Sequence, residues 1–260
     1  MLVVCSPVIL HKSMSNINDT YFDGLYKDIW KNIIPAELTP KEVDFIIPYF
    51  KLQQDSSVLD LMCGYGRHAL ALAAKGIHVT AVDNLPDYIN ELKKNAEAEN
   101  LPVEAVLADV IQWKAKKNYD LVICMGNSLQ FFDKGELMRL LKNISAHLKD
   151  GGHVFINTWS IMEIAVKHFK ENSSGTIGAI QSIAESKYFY SPSRIETEHK
   201  MITADGTTEI KKGIDYIWSL NEIENLLNEC GIKMKEVFSV PGKRRFSLGD
   251  ARAYIIAEKS

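Results

Sequence analysis

The sequence predicts an α/β fold, in which a doubly wound, mostly parallel sheet of seven strands carries an inserted antiparallel β cap. Five short apolar, β-branched segments alternate with helical segments between residues 58 and 157, and such alternation with short connections favours a parallel sheet with right-handed crossovers. The apolar character of these strands is typical of a sheet that is covered on both faces. Three segments of alternating polarity follow at about 180–217, and two further strands, 232–240 and 253–259, complete the sheet.

Two helices are expected before the first strand. Residues 19–32 place Tyr21 and Ile29 on one apolar stripe, which is the spacing of an amphipathic helix. Residues 40–50 form the second helix, with Thr39 as its cap.

The core strands are expected at 58–62, 77–82, 103–108, 119–125 and 153–157. The helices between them follow an apolar periodicity. One runs from about Arg67 to Lys75, one begins at Pro86, and one has apolar residues spaced from Leu137 to Leu148.

The pattern changes after residue 157. A helix is expected at 161–171, followed by the three alternating segments. Ser191-Pro192-Ser193 separates the first two, and Asp205-Gly206, a strong hairpin signal, separates the last two. The chain is therefore divided into an N-terminal leader and lid helix (1–39), an α/β core (40–160), an inserted helix and antiparallel cap (161–217), and a C-terminal helix with edge strands (218–260).

Composition limits the classes of function. The 260 residues carry a formal net charge of −3, so the basic footprint of a nucleic-acid-binding protein is missing. The four cysteines form no CxxC pair, which argues against a structural zinc site, so no metal is expected. Their scatter favours reduced thiols in a cytoplasmic protein. Residues 1–16 lack a basic region and are too short to span a bilayer, so we expect a leader there and no membrane partner.

An acid–glycine–acid pattern stands out at the first two core strands. Asp60 interrupts the first strand, Gly64 and Gly66 follow it, and Asp83 ends the second strand. Glycines let a backbone approach a ligand closely, and the helix that follows offers free N–H groups. An acid at the end of the second strand can accept hydrogen bonds from two ribose hydroxyls, so the pattern predicts a nucleoside-binding unit.

Two classes of cofactor use such a unit. Gly64-x-Gly66-x-x-Ala69 satisfies the loose dinucleotide fingerprint, which would make the chain an NAD-dependent oxidoreductase. A carboxylate at Asp60, however, would repel a diphosphate, whereas it suits the ammonium and sulfonium of S-adenosylmethionine. Structural roles also stay open: Asp60 could fix the glycine turn, and Asp83 could cap the following helix.

The stretch from Asp60 to His68, DLMCGYGRH, resembles the first motif of the class I S-adenosylmethionine-dependent methyltransferases, in its small-molecule form. Further matches follow in order as far as the turn and strand LKDGGHVFIN, and the resemblance covers about 40–160. It implies a Rossmann-like fold, S-adenosylmethionine as cofactor, Asp83 on the ribose and Asp109 on the adenine amino group. The implied cofactor-binding residues are Asp60, Cys63, Gly64, Gly66, Arg67, Asp83, Asn84, Asp109, Val110 and Met125, while His68 is expected to form a structural hydrogen bond.

Methyl transfer from a sulfonium is an in-line displacement that depends on positioning, so no catalytic side chain is obligatory. The loop after the fourth strand lacks the pattern of enzymes that methylate nucleobase amino groups, which favours a small-molecule acceptor with N or O as its nucleophile. A non-catalytic S-adenosylmethionine-binding module remains an alternative, and a homodimer is possible. Weak candidates for a base are Tyr21, Asp133, His153 and His199. Expected substrate contacts are Tyr21, Tyr26, Asn127, Ser128, Trp159, Arg194 and Arg244.

Overall fold

The computed structural model describes residues 16–260 and confirms the predicted α/β class. It contains an eight-stranded sheet and a separate four-stranded antiparallel sheet. Most of the expected leader, residues 1–15, lies outside the described residues. No helix within the described range combines the length and apolar character that a membrane span requires.

Strands and helices follow one another as expected through the core. The helices are α1 Leu25–Ile33, α2 Leu38–Tyr49, α3 Arg67–Ala73, α4 Pro86–Ala98, α5 Lys134–His147, α6 Met162–His168 and α7 Leu220–Glu229. The strands of the main sheet are β1 Ser57–Leu61, β2 His78–Asp83, β3 Val103–Leu107, β4 Tyr119–Cys124 and β5 Leu148–Thr158, and later β10 Ile232–Val240, β11 Arg244–Arg245 and β12 Ala253–Lys259. The cap strands are β6 Asn172–Ile177, β7 Ile180–Tyr190, β8 Ser193–Ile202 and β9 Thr208–Tyr216.

The main sheet has the strand order β11-β10-β12-β5-β4-β1-β2-β3. Strands β1 to β5 are parallel, and β12 lies antiparallel between β5 and β10. The chain order reverses between β1 and β4, and ligands of open α/β sheets bind at the carboxyl ends of the strands at such a switch point. Asp60, near the end of β1, and Asp83, the last residue of β2, are therefore brought to one edge of the sheet.

Apolar side chains cover both faces of the sheet, as the sequence predicts. The strand residues Val58, Val122, Ile123, Phe155 and Ile156 are essentially inaccessible to solvent. They divide between two clusters, one packed under α5 and α7 and the other under α2, α3 and α4. This two-sided burial fixes the register of the strands and hence the position of their carboxyl ends.

Three local expectations need correction. The first helix begins at Leu25, after Gly24 in a left-handed conformation, and Tyr21 lies in the turn before it. The helix α2 begins one residue before Thr39, whose hydroxyl accepts a hydrogen bond from Arg67 and does not cap the helix. The cap has a fourth strand, β6, and the eighth strand of the main sheet is the two-residue β11.

Candidate active site

The turn between β1 and α3 contains two glycines with left-handed backbone, Gly64 (φ +56°) and Gly66 (φ +81°). A Cβ at Gly66 would overlap the buried side chain of Leu92 in α4. A Cβ at Gly64 would meet open space, because this residue lines a cavity at the carboxyl ends of the strands. Gly66 therefore permits close packing, while Gly64 keeps the wall of the cavity open.

Alanine substitution should separate these two roles. Gly66→Ala is expected to destabilise the fold by about 2–4 kcal/mol, because it combines left-handed strain with a clash against Leu92. Gly64→Ala should cost only about 1–2 kcal/mol of stability, but its methyl group should weaken the binding of S-adenosylhomocysteine. Thermal unfolding and calorimetric titration of both variants test this expectation, and equal losses of stability would contradict it.

Asp83, at the end of β2, is held by the backbone on two sides. Its Oδ2 accepts the N–H of Gly64 at 2.8 Å, and its Oδ1 accepts the N–H of Leu85 at 3.0 Å. Burial raises the pKa of this carboxyl, and the N–H groups of Leu85 and Gly64 oppose that rise. Each oxygen retains acceptor capacity toward the cavity that Asp83 lines, so the carboxylate is preoriented for two hydroxyl donors.

Asp60, on β1, lies below the same turn and is only 2% exposed. Its Oδ2 has no hydrogen-bond partner within residues 16–260. Burial raises the pKa of Asp60 to about 7, the charge of Arg67 opposes this rise, and Asp83 adds to it. Because a buried polar atom without a partner costs free energy, and Asp60 lines the cavity, this oxygen is suited to a cationic ligand group.

Glu42 in α2 holds the glycine turn from below. Its Oε2 accepts hydrogen bonds from Arg67 Nη1 and His68 Nε2, both at 2.8 Å, and its Oε1 accepts one from the Tyr254 hydroxyl at 2.8 Å. Burial raises the pKa of Glu42, but the hydrogen bond from His68 and the charge of Arg67 outweigh it and lower the pKa to about 2. Burial and then Arg67 lower the pKa of His68 to about 4, so a neutral His68 donates to an ionised Glu42 at neutral pH. Arg67 therefore fixes the turn as well as lining the cavity.

Glu42→Gln should unfold at a lower temperature than the wild type, by a loss of about 3–5 kcal/mol, because it leaves a buried guanidinium without its counter-charge. The matched control is Tyr254→Phe, which removes a single hydrogen bond to the same carboxylate and should cost about 1 kcal/mol of stability.

The lowered pKa of Glu42 means that its contribution to stability is present above pH 4.5 and is lost as the pH falls toward 2. Urea unfolding at pH 7 and pH 3 measures both effects; similar losses for the two variants at pH 7 would show that Glu42 is not the counter-charge of Arg67.

The cavity joins the core, the lid segment (residues 16–33) and the cap. Asn18 fastens the lid to the cap, since its Oδ1 accepts the N–H of Ile214 and its Nδ2 donates to the Ile214 carbonyl, both at 2.9 Å. The Tyr88 hydroxyl donates to the Phe22 carbonyl at 2.8 Å and fastens the lid to α4. Aromatic side chains form much of the lid wall: Tyr21, Phe22, Tyr26 and Trp30.

The cavity brings together most of the residues that the sequence singles out. The expected cofactor residues that line it are Asp60, Cys63, Gly64, Arg67, Asp83, Asn84, Asp109, Val110 and Met125. Gly66 does not line it, because it packs against Leu92. The expected substrate contacts that line it are Tyr21, Tyr26, Asn127, Ser128 and Trp159.

The side-chain amide of Asn127, in the loop after β4, forms its hydrogen bonds with other residues of the protein. Its Oδ1 accepts three hydrogen bonds at 2.9 Å, from the Thr158 hydroxyl and from the N–H groups of Trp159 and Ser160. Its Nδ2 donates to the Ser160 hydroxyl. The amide therefore orients the end of β5, including Trp159, rather than offering free groups to a substrate.

Four side chains that the sequence suggests for catalysis or substrate contact do not line this cavity. His153 packs against Phe50, with ring centroids 5.3 Å apart, and Asp133 caps α5. Arg194 pairs with Glu196, and Arg244 pairs with Asp250. His199 reaches the cavity only through Tyr21, whose hydroxyl lies 3.3 Å from His199 Nδ1.

Sequence reasoning missed Asp215 of β9, which lines the cavity from the cap side. Its Oδ2 accepts a hydrogen bond from the Ser160 hydroxyl at 3.3 Å. Burial raises the pKa of Asp215 to about 6, against the effect of that hydrogen bond. The sequence signal was an acid between Ile214 and Tyr216 in a segment of alternating polarity. That pattern alone does not show which face of the strand lines a cavity.

Comparison with known proteins agrees with this geometry. A family model described as a methyltransferase domain matches residues 58–152. The chain is 30% identical to the ubiquinone biosynthesis O-methyltransferase of Rickettsia canadensis over 169 residues, which are 64% of this chain and 68% of that protein. It is 30% identical over 111 residues to the probable S-adenosyl-L-methionine-dependent methyltransferase TehB of Haemophilus influenzae, covering 43% of this chain and only 38% of the length of that relative.

Solved structures share the fold at low sequence identity. An S-adenosylmethionine-dependent methyltransferase from Clostridium acetobutylicum superimposes with a TM-score of 0.78 at 17% identity, covering 90% of this chain and 96% of that one. The S-adenosylmethionine-bound amino pentose methyltransferase CalS10 of Micromonospora echinaspora gives a TM-score of 0.68 at 17% identity, covering 92% and 98%. The structures show the shared fold, while the family model and the sequence relatives favour the methyltransferase interpretation over the NAD-dependent oxidoreductase.

The residues present also fit the cofactor of that family. The unpartnered oxygen of Asp60 suits an ammonium group, the preoriented Asp83 suits a pair of hydroxyls, and the open face of Gly64 leaves room for a ligand. On fold, site and sequence together, the chain belongs to the class I S-adenosylmethionine-dependent methyltransferases.

Proposed function

We propose that this protein transfers a methyl group from S-adenosylmethionine to a nitrogen or oxygen of a small-molecule acceptor by direct in-line displacement. The observation that carries the proposal is the single cavity lined by the acid–glycine turn of the core and by the lid and cap. One cavity can hold donor and acceptor together, and such positioning supplies about 7–11 kcal/mol toward the barrier. The descriptions of two similar proteins, a ubiquinone biosynthesis O-methyltransferase and an amino pentose methyltransferase, support a small-molecule acceptor.

Core residues would hold the cofactor. Asp83 would accept hydrogen bonds from the ribose hydroxyls. Asp60 would accept one from the amino group of the methionine part, and Asp109 one from the adenine amino group. When bound, S-adenosylmethionine supplies an electrophilic methyl group and a neutral thioether as leaving group. The protein's contribution is to orient both reactants and to exclude water through the aromatic lid.

The lid tyrosines act as hydrogen-bond donors in this proposal. Burial is the main cause of the raised pKa of Tyr21, with smaller contributions from Tyr26 and Asp215, and burial also raises the pKa of Tyr26. Both phenols therefore stay protonated at neutral pH. That protonation argues against Tyr21 as the base considered from the sequence and favours a role in orienting the acceptor.

A screen with methyl-labelled S-adenosylmethionine and a library of small metabolites tests the proposal, after calorimetry has shown binding of S-adenosylhomocysteine. We expect label in at least one amine or alcohol and none in added protein or nucleic acid. Cofactor binding without transfer to any acceptor would favour the non-catalytic module. Label in a macromolecule would overturn the small-molecule assignment.

A further inference from the structure

The cap strand β9 presents a carboxylate to the part of the cavity opposite the glycine turn. Gly213 and Asp215 are alternate residues of this strand and both line the cavity, as expected for side chains on one face. A Cβ at Gly213 would come within 2.7 Å of the Tyr21 ring, so the lid packs directly on this face. Asp215 is thus enclosed by lid and cap while remaining accessible from the cavity.

Asp215 has no counter-charge among the residues that the structure describes. Within residues 16–260 its one side-chain hydrogen-bond partner is the Ser160 hydroxyl, and none of the salt bridges there includes it. Its Oδ1 accepts no hydrogen bond from the described part of the chain. An enclosed carboxylate without a cation carries a desolvation cost that a cationic ligand would relieve.

The charges around the cavity favour a cation over an anion. Arg67 is the only lysine or arginine among the described lining residues, and Glu42 already pairs with it. In the proposed function the cofactor accounts for the carboxylates of Asp60, Asp83 and Asp109. The lid residue Asp19 also lines the cavity, and it accepts a hydrogen bond from Asn84 Nδ2 at 2.7 Å. Asp215 belongs to a different element and stays unmatched when those three are assigned.

Aromatic rings that line the same cavity as Asp215 add to this preference. Tyr21 lies with its ring centroid 4.9 Å from that of Tyr26 and 5.0 Å from that of Phe22, and all three line the cavity. The electron-rich faces of such rings attract ammonium groups. A carboxylate next to aromatic faces is a combination that binds organic cations and discriminates against neutral or anionic groups of the same shape.

We propose that the acceptor is an amine and that Asp215 binds its ammonium form on the cap side of the cavity. Before transfer the ammonium passes one proton to the Asp215 carboxylate, so that the freed nitrogen lone pair can attack the methyl carbon while the carbon–sulfur bond breaks and the neutral thioether leaves. This inference rests on the proposed function and narrows its substrate class from nitrogen or oxygen compounds to amines. An alcohol of the same carbon skeleton would leave Asp215 desolvated without a counter-charge, and sites of this kind reject such analogues strongly. Asp215 is a specificity-determining residue in this account.

The test compares amines with alcohols of matched skeleton on the protein saturated with S-adenosylhomocysteine. The probes are benzylamine with benzyl alcohol, cyclohexylamine with cyclohexanol, and glucosamine with glucose, and binding is measured by ligand-observed NMR at pH 7.5. For at least one pair we expect the wild type to bind the amine about 10- to 100-fold more tightly than the alcohol. Asp215→Asn should abolish this preference, whereas Ser160→Ala, which keeps the carboxylate, should retain it.

The outcomes separate this inference from the function on which it rests. A wild type that fails to bind S-adenosylhomocysteine would overturn the proposed function. A wild type that binds S-adenosylhomocysteine but prefers no amine, or an Asp215→Asn variant that keeps the preference, would overturn the role of Asp215 and leave methyl transfer intact. Unchanged affinity of Asp215→Asn for S-adenosylhomocysteine shows that the variant is folded with an intact core end.

Discussion

Asp83→Ala is expected to remove measurable affinity for S-adenosylmethionine, the largest effect that we anticipate from a single substitution. The carboxylate is held by the N–H groups of Gly64 and Leu85, so it meets the ribose without reorganising. Two charge-assisted hydrogen bonds are worth about 1.5–3 kcal/mol each, and their loss corresponds to roughly 100-fold or more in the dissociation constant. Isothermal titration with S-adenosylhomocysteine measures the change.

The matched control is Asp109→Ala. Asp109 also lines the cavity, but its carboxylate is solvent-exposed and accepts hydrogen bonds from the Ile111 N–H and from Gln112. We expect a loss of about tenfold or less from this variant, because solvent weakens the interaction. Circular dichroism should show that both proteins are folded, and wild-type affinity in a folded Asp83→Ala variant would refute the ribose assignment.

Asp60→Asn is expected to stabilise the free protein at alkaline pH and to lower its affinity for the cofactor. Burial raises the pKa of Asp60 to about 7 from its ordinary value of 3.8. A carboxyl with a raised pKa binds its proton more tightly in the folded state, so it costs stability progressively as the pH rises from about 4 to about 7. The asparagine variant escapes this cost, which is on the order of 2–4 kcal/mol at pH 8.

Thermal unfolding of wild type and Asp60→Asn between pH 5 and pH 8 tests the stability half of this prediction. We expect the midpoint difference in favour of the variant to grow with pH. Calorimetry should show an affinity for S-adenosylhomocysteine lower by about 10- to 100-fold, since the ammonium group loses its counter-charge. A variant that is less stable than the wild type at pH 8, or that binds equally well, would contradict the role given to Asp60.

The core was predictable from the sequence because its signals are local. Short, β-branched apolar runs such as 119–124 between amphipathic helices favour buried strands, and the parallel order then brings Asp60 and Asp83 to one sheet edge. The Asp-Gly and Ser-Pro-Ser turns likewise marked the cap hairpins, whose strands pair as expected. In each case the determining residues are neighbours in the sequence.

The remaining features depend on contacts between distant segments. Glu42 looks like a solvated helix residue in the sequence, but donors from α3 and β12 converge on it. The strand β6 has a polar, largely exposed sequence without alternation and is defined only by its pairing with β7. The enclosure of Asp215 arises from the lid folding onto the cap, which no local pattern of β9 encodes.

The most direct measurement is a crystal structure of the protein with S-adenosylhomocysteine. We expect the ribose hydroxyls on the carboxylate of Asp83, the amino group of the amino-acid part beside Asp60, and the adenine near Asp109. A ligand lying elsewhere, or an Asp83 side chain turned away from the sugar, would contradict the claim that this acid–glycine–acid turn is the cofactor site.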